Sequence, residues 1–324
     1  MRVYTGSGDA RTLNQYTAQQ MQITSSPAIR PQQLDPAALQ RQARRLSQAE
    51  AAPWLHSEVA QRMAERLPVI KLQPRRLLQW SAFLGGSEAA LKAVYPDAEQ
   101  VRVEPTSELA ERSLAAAKRG WLQTMLRRTP SQVLTPSALS DTPKVDLVWA
   151  NMGLHADADI PRTLAQWHDA LAVDGFLMFS CFGPDSFIEL KKIYAAQGWG
   201  RPSTEWWDMH DIGDLLIEAG FADPVMDQDR ISLTWGDAES LLRDLHALGG
   251  NLAPERFGGC RGKAWRASLL EALEGLRGND GRLRLSLELV YGHAFKAAPK
   301  LQLNAETHVS LEQMRSMVRQ AGKP

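Results

Sequence analysis

The stretch Val145-Asp146-Leu147-Val148-Trp149-Ala150, a helical pattern over about 161–172, and the run Gly175-Phe176-Leu177-Met178-Phe179-Ser180 together decide the fold. Both flanking runs are short and apolar at nearly every position, as strands covered on both faces must be. Between them Asp159 is placed to cap a helix and Pro161 sits near its first position. Leu164, Trp167 and Leu171 then recur on one face until Asp174-Gly175 ends the segment. A strand, a helix and a second strand in this order make a parallel crossover unit.

The same alternation extends in both directions. Towards the N-terminus come Arg76-Leu77-Leu78-Gln79-Trp80, a helical stretch over 88–95, Gln100-Val101-Arg102-Val103-Glu104, a helical stretch over 109–125, and Gln132-Val133-Leu134. Towards the C-terminus, Asp208 opens a helix whose Ile212, Leu215, Leu216 and Ala219 face inward, with Gly220 at its C-terminal left-handed position. Residues 230–235 and 283–295 alternate with period 2 and are predicted to be antiparallel neighbours. Between them lie two helical stretches, 238–248 and 264–276, joined by the loop Phe257-Gly258-Gly259-Cys260-Arg261-Gly262. The prediction is an α/β fold with a doubly wound, seven-stranded, mostly parallel sheet and a helical cap inserted between the last two strands. Its divisions are a flexible tail (1–34), N-terminal helices (35–74, with Ser57 capping the second), the α/β core (75–236), the cap (237–280), the last strand (281–298) and a C-terminal tail with a short helix from Ser310 (299–324).

Composition narrows the function. The 324 residues carry 37 Lys+Arg against 37 Asp+Glu, which argues against a nucleic-acid binder working by bulk electrostatics. Charge is nevertheless patchy: 205–229 holds eight acids and no Lys or Arg, while 256–266 holds four bases and no acid. A basic cap facing an acidic protein partner is therefore allowed. Two cysteines make neither a disulfide framework nor an all-cysteine zinc site, and fit a cytoplasmic protein. No apolar run reaches the length of a membrane span. Residues 10–34 hold two arginines and no acid, as transit peptides do, but lack an amphipathic stripe. Ten tryptophans outnumber the eight phenylalanines and five tyrosines.

Ligands of open parallel sheets sit outside the carboxyl ends of the strands. Glu104 ends the second strand, where an acid either accepts both hydroxyls of a ribose or remains a solvated or capping residue. Gly85-Gly86 follows the first strand and permits close approach of a ligand, or is an ordinary strand–helix turn. His155 lies beyond the fourth strand as a candidate catalytic residue, and Cys181 on the fifth reads as a small buried hydrophobe. The chain has no GxxxxGK[ST] loop, GxGxxG, GxSxG or HExxH, and its seven histidines show no metal-ligand spacing.

Several strings carry a resemblance: 145–154, Phe179-Ser180-Cys181-Phe182-Gly183-Pro184 with Glu189-Leu190, 208–226, and Leu289-Val290-Tyr291-Gly292-His293-Ala294. Over about 57–296 the chain resembles Rossmann-like class I S-adenosylmethionine-dependent methyltransferases, and within them the biotin-pathway malonyl-[acyl-carrier protein] O-methyltransferases. The resemblance implies transfer of a methyl group from S-adenosylmethionine to the free carboxylate of a malonyl thioester on acyl carrier protein, without nucleic acid or membrane. Such a reaction needs no general base, because the carboxylate is already ionised at neutral pH. It needs alignment and a cation for the carboxylate, and Arg261, Lys263 and Arg266 in the cap are the candidates. Cofactor contacts are implied for Gln79, Ser81, Gly85, Gly86, Glu104 and Asn151.

The chain departs from that family where the first strand should end in an acid and a glycine-rich turn. Gln79 stands for the acid, and Ser81, Phe83 and Gly85 stand for the three glycines. A tyrosine of the N-terminal segment falls on Ala49, and the stretch after the third strand, Leu134-Thr135-Pro136-Ser137-Ala138, offers no acid for an adenine. The alternative implied by these departures is a catalytically degenerate methyltransferase-like protein that serves as a binding or assembly factor.

Overall fold

The computed structural model describes residues 33–119 and 132–298. The tail over 1–32, the end of the helix expected over 109–125, and the helix expected from Ser310 lie outside these residues.

Seven strands form one sheet in the order β3-β2-β1-β4-β5-β7-β6: β1 (Arg76–Trp80), β2 (Glu99–Val103), β3 (Gln132–Leu134), β4 (Val145–Ala150), β5 (Leu171–Phe182), β6 (Ala222–Trp235) and β7 (Leu283–Phe295). The pairs among β1 to β5 are parallel, and β7 runs antiparallel to both β5 and β6. Period-2 alternation sends side chains to two cores. Leu77, Leu147, Trp149, Phe176 and Met178 enter one, while Leu78, Val148, Ala150, Leu177 and Phe179 enter the other.

Helices cover both faces. On the first lie α2 (Trp54–Ala64), which α1 (Pro36–Ser47) precedes in the chain, α3 (Glu88–Val94) and, over the strand ends, further helices of the cap described below. The amphipathic α4 (Ser107–Arg119) follows β2. The second face is closed by α5 (Ile160–Ala170), through Leu164 and Trp167, and by α7 (Met209–Glu218), through Ile212 and Leu216; α6 (Ile188–Gln197) packs with the first core through Leu190. Each large apolar side chain so buried contributes about 1.5–3 kcal/mol. The Asp159 cap is present, its carboxylate accepting from the Arg162 N–H at 3.2 Å.

The cap consists of α8 (Ala238–Ala247) and α9 (Lys263–Glu274), between β6 and β7 as expected. Two expectations are corrected. Helix α2 starts at Trp54 after Pro53, not at Ser57, because Pro53 supplies the bent entry and its carbonyl receives the His56 N–H at 2.9 Å. Strand β6 begins at Ala222 rather than 230, because it pairs with β7 at Ala222 and, after a register shift, from Val225 onward; as an edge strand it tolerates the acids that made 222–229 look unlike a strand.

Candidate functional site

At the carboxyl ends of β1 and β2 the chain closes on itself. Ser81 adopts a left-handed conformation (φ 51°), and the next four residues, Ala82–Gly85, form a single helical turn closed by a Gly85 N–H to Ser81 carbonyl bond of 2.7 Å. That turn aims the Phe83 N–H at Glu104, whose Oε1 accepts it at 2.8 Å and accepts the Ser113 hydroxyl as well. Glu104 is fully buried and its Oε2 has no partner among the described residues. Burial pushes its carboxyl up to about 7, against the lowering effect of those two hydrogen bonds. The Phe83 ring lies under the Arg112 guanidinium, 4.9 Å away, and Arg112 in turn donates to the carbonyls of Ala49 and Glu50.

Asn151 ties this turn to the N-terminal helices. Its amide nitrogen donates to the carbonyls of Gly85 (2.6 Å) and His56 (2.7 Å), and its Oδ1 accepts from Ser180 (2.7 Å). Gly85 and Gly86 do permit close approach, but of the protein's own chain. A Cβ on Gly85 would lie 3.3 Å from the Asn151 carbonyl, and one on Gly86 (φ 61°) would lie 2.7 Å from Ser57 Oγ. Gln79, almost wholly buried, gives its side-chain N–H to Gln100 at 2.9 Å. His56 is fully buried, its ring depressed to about 4 by desolvation; as a neutral imidazole it donates from Nδ1 to the Leu84 carbonyl at 2.7 Å.

A cavity of about 400 Å³ opens beneath the cap. Its walls come from the end of β5 (Phe182), from α6 (Leu190, Tyr194), from the connection before α7 (Ser203, Trp206), and from α8 and α9 (Leu242, Leu245, Trp265). His155 lines it too, with its ring 4.4 Å from that of Phe182 and 5.8 Å from that of His56. Desolvation first, and His56 second, lower His155 to about 3, so it is neutral at physiological pH. Arg261 reaches the cavity with its guanidinium 4.3 Å from the Phe257 ring and 4.5 Å from the Trp265 ring, and donates to the Trp199 carbonyl.

The structure thus divides the predicted residues into two groups. Gln79, Ser81, Gly85, Gly86, Glu104 and Asn151 are brought together, but their side chains or bare faces meet other parts of the protein. Arg261, Arg266 and His155 line the cavity; Lys263 does not, and stands exposed at the start of α9. Arg266 is exposed and bonded by both guanidinium nitrogens to Glu239. Arg256, counted in the basic stretch, pairs with Asp35 at 2.6 Å. Sequence reasoning missed the aromatic wall. Tyr194, Trp199 and Trp265 form an edge-to-face cluster with centroids 5.4–6.4 Å apart, and the tryptophan excess was its only signal.

Sheet, strand directions and inserted cap define a class I methyltransferase-like protein. No family model matches the chain. It is 37% identical over 256 residues to the malonyl-[acyl-carrier protein] O-methyltransferase of Gallionella capsiferriformans, covering 78% of this chain and 87% of that protein. It is 36% identical over 262 residues to the protein of the same name from Laribacter hongkongensis, covering 78% and 86%. Among solved structures it is similar to Haemonchus contortus phosphoethanolamine N-methyltransferase 2 in complex with S-adenosyl-L-methionine, at 12% identity and a TM-score of 0.43, over 79% of this chain and 56% of that one. The chain belongs to the malonyl-[acyl-carrier protein] O-methyltransferase family.

The residues expected to hold S-adenosylmethionine at the β1–β2 end are engaged only in part. One oxygen of the expected ribose acid holds two donors while the other has no partner among the described residues. Gln79 donates to Gln100 from its amide nitrogen, not from the oxygen that would accept an ammonium. The backbone that should lie bare towards a ligand lies against Ser57 and Asn151. Among the described residues no helix is long and apolar enough to cross a membrane, and no cluster of metal-ligating side chains occurs.

Proposed function

We propose that the protein's ligand is the malonyl thioester of acyl carrier protein, received in the cavity beneath the cap, and that its place is in biotin synthesis. The family reaction moves the methyl group of S-adenosylmethionine to the free malonyl carboxylate, hiding a charge as an ester. The observation that carries the reading is a cavity built from aromatic and aliphatic side chains with Arg261 in its wall, in a chain 37% identical over 256 residues to a relative of that name. Arg261 suits a carboxylate or carbonyl because the stacking rings hold its planar fork in place. His155, neutral and buried, contributes shape rather than a charge, which agrees with a reaction that needs no base.

A second reading is favoured by the closed β1–β2 end: the protein holds the carrier-bound thioester without methyl transfer, as a binding or assembly factor. Calorimetry separates the two. Heat on adding S-adenosylmethionine, followed by methyl ester formation on malonyl-loaded carrier, supports the enzyme. Binding of loaded carrier with no cofactor heat at millimolar concentration supports the binding protein. Failure to bind loaded carrier sinks both.

A further inference from the structure

Resting on the reading of the ligand as a carrier-bound thioester, we propose that the cavity beneath the cap receives an acyl chain of medium length, about that of octanoyl, and is not matched to malonyl alone. The size of the cavity is the first reason. It measures about 400 Å³. Allowing roughly 30 Å³ per methylene-sized group, the share of a water molecule in the liquid, it takes on the order of a dozen groups, about twice a malonyl unit with its sulfur.

The chemistry of the wall is the second reason. Leu190, Leu242, Leu245 and Leu269 line it with the rings of Phe182 and Trp206. Malonyl has a single methylene between two carbonyl groups, and so little apolar surface to set against such a wall. An alkyl chain covers it, and each added methylene removes apolar area from water on both sides of the contact.

Polar groups interrupt this wall at Gln42, Thr204, His246, Asn251 and Arg261. Arg261, stacked on the rings of Phe257 and Trp265, can donate to a thioester carbonyl at the oxygen-bearing end of the chain.

The test uses the full-length protein and acyl carrier protein loaded with malonyl, butanoyl, hexanoyl, octanoyl or dodecanoyl groups, with unloaded holo-carrier as reference. Affinity is read by calorimetry. The proposal expects affinity to rise about threefold per added methylene from butanoyl to octanoyl and then to level off, octanoyl exceeding malonyl at least tenfold. Affinity independent of chain length, or malonyl bound more tightly than octanoyl, overturns it while leaving the malonyl reading intact. Octanoyl bound and malonyl not bound supports it and removes the malonyl reading; neither bound removes both. Leu242→Trp should fill the cavity, weakening octanoyl at least tenfold and malonyl less than threefold. Equal loss for both overturns the proposal, and if the variant fails to fold by circular dichroism the chain-length series decides alone.

Discussion

The backbone N–H of Phe83 donates to the carboxylate of Glu104 at 2.8 Å, across the carboxyl ends of β1 and β2. This contact ties the helical turn after β1 to the acid that follows β2, and leaves the other carboxylate oxygen without a partner among the described residues.

The pH dependence of stability should change sharply in Glu104→Gln. Burial raises the carboxyl from 4.5 to about 7 in the folded state, so the folded protein holds a proton that the unfolded chain has released. Glu104 therefore lowers stability progressively as pH rises from about 4.5 to about 7. His56 and His155 act in the opposite sense: their folded values of about 4 and about 3 lie below 6.5, so their stability is present above pH 6.5 and is lost as pH falls. Removing the carboxyl should leave stability unchanged below pH 4.5, steepen the rise between 4.5 and 6.5 by roughly 1.4 kcal/mol per pH unit, and gain on the order of 3 kcal/mol above pH 7. Urea unfolding of both proteins at pH 4.5, 6 and 8 checks this; parallel curves would show that Glu104 is ionised when folded.

Gly86→Ala should destabilise by about 1–3 kcal/mol, since φ is +61° and the new methyl would meet Ser57 Oγ at 2.7 Å. In a Ser57→Ala background part of that loss should return, leaving the backbone share. Thermal unfolding of the four proteins measures both terms.

Asn151→Ala should cost about 2–4 kcal/mol, because it strips donors from the Gly85 and His56 carbonyls and leaves the buried Ser180 hydroxyl without its acceptor. Hydrogen exchange should show the loss concentrated in α2 and in residues 82–86. Protection lost evenly over the sheet would contradict the role of Asn151 as the tie between those segments.

Arg261→Met should weaken binding of malonyl-loaded carrier by about 1.5–3 kcal/mol, the range for a charge-assisted hydrogen bond. Arg266→Met should change it by under 1 kcal/mol, because that guanidinium is exposed and already bonded to Glu239. Titration calorimetry with the two variants ranks them; the reverse order would move the carboxylate site to the outer face of α9.

The strands and the cap were legible because periodicity is local. Alternating leucines over 283–289 and the apolar run over 145–150 place each residue on a face before any tertiary contact exists. Glu104, Gly85 and Asn151 were legible as neighbours, because strand ends of a parallel sheet share one edge. Their present partners were not, since His56 and Ser113 come from helices whose docking no local pattern states. Likewise four bases in 256–266 read as one basic face, but two of them, Arg256 and Arg266, are neutralised by Asp35 and Glu239.

By itself, then, the sequence determined a doubly wound α/β sheet with an inserted cap, membership in a family, and a first-strand turn lacking its acid and two of its glycines. Only the tertiary structure decided what that turn does. Carrying Ser81 and Phe83, the segment forms a helical turn that aims the Phe83 N–H at the buried Glu104, whose carboxyl is raised to about 7 by burial. It also decided where the open space lies. Packing brings Trp206 and Trp265, distant in sequence, around one cavity beneath the cap.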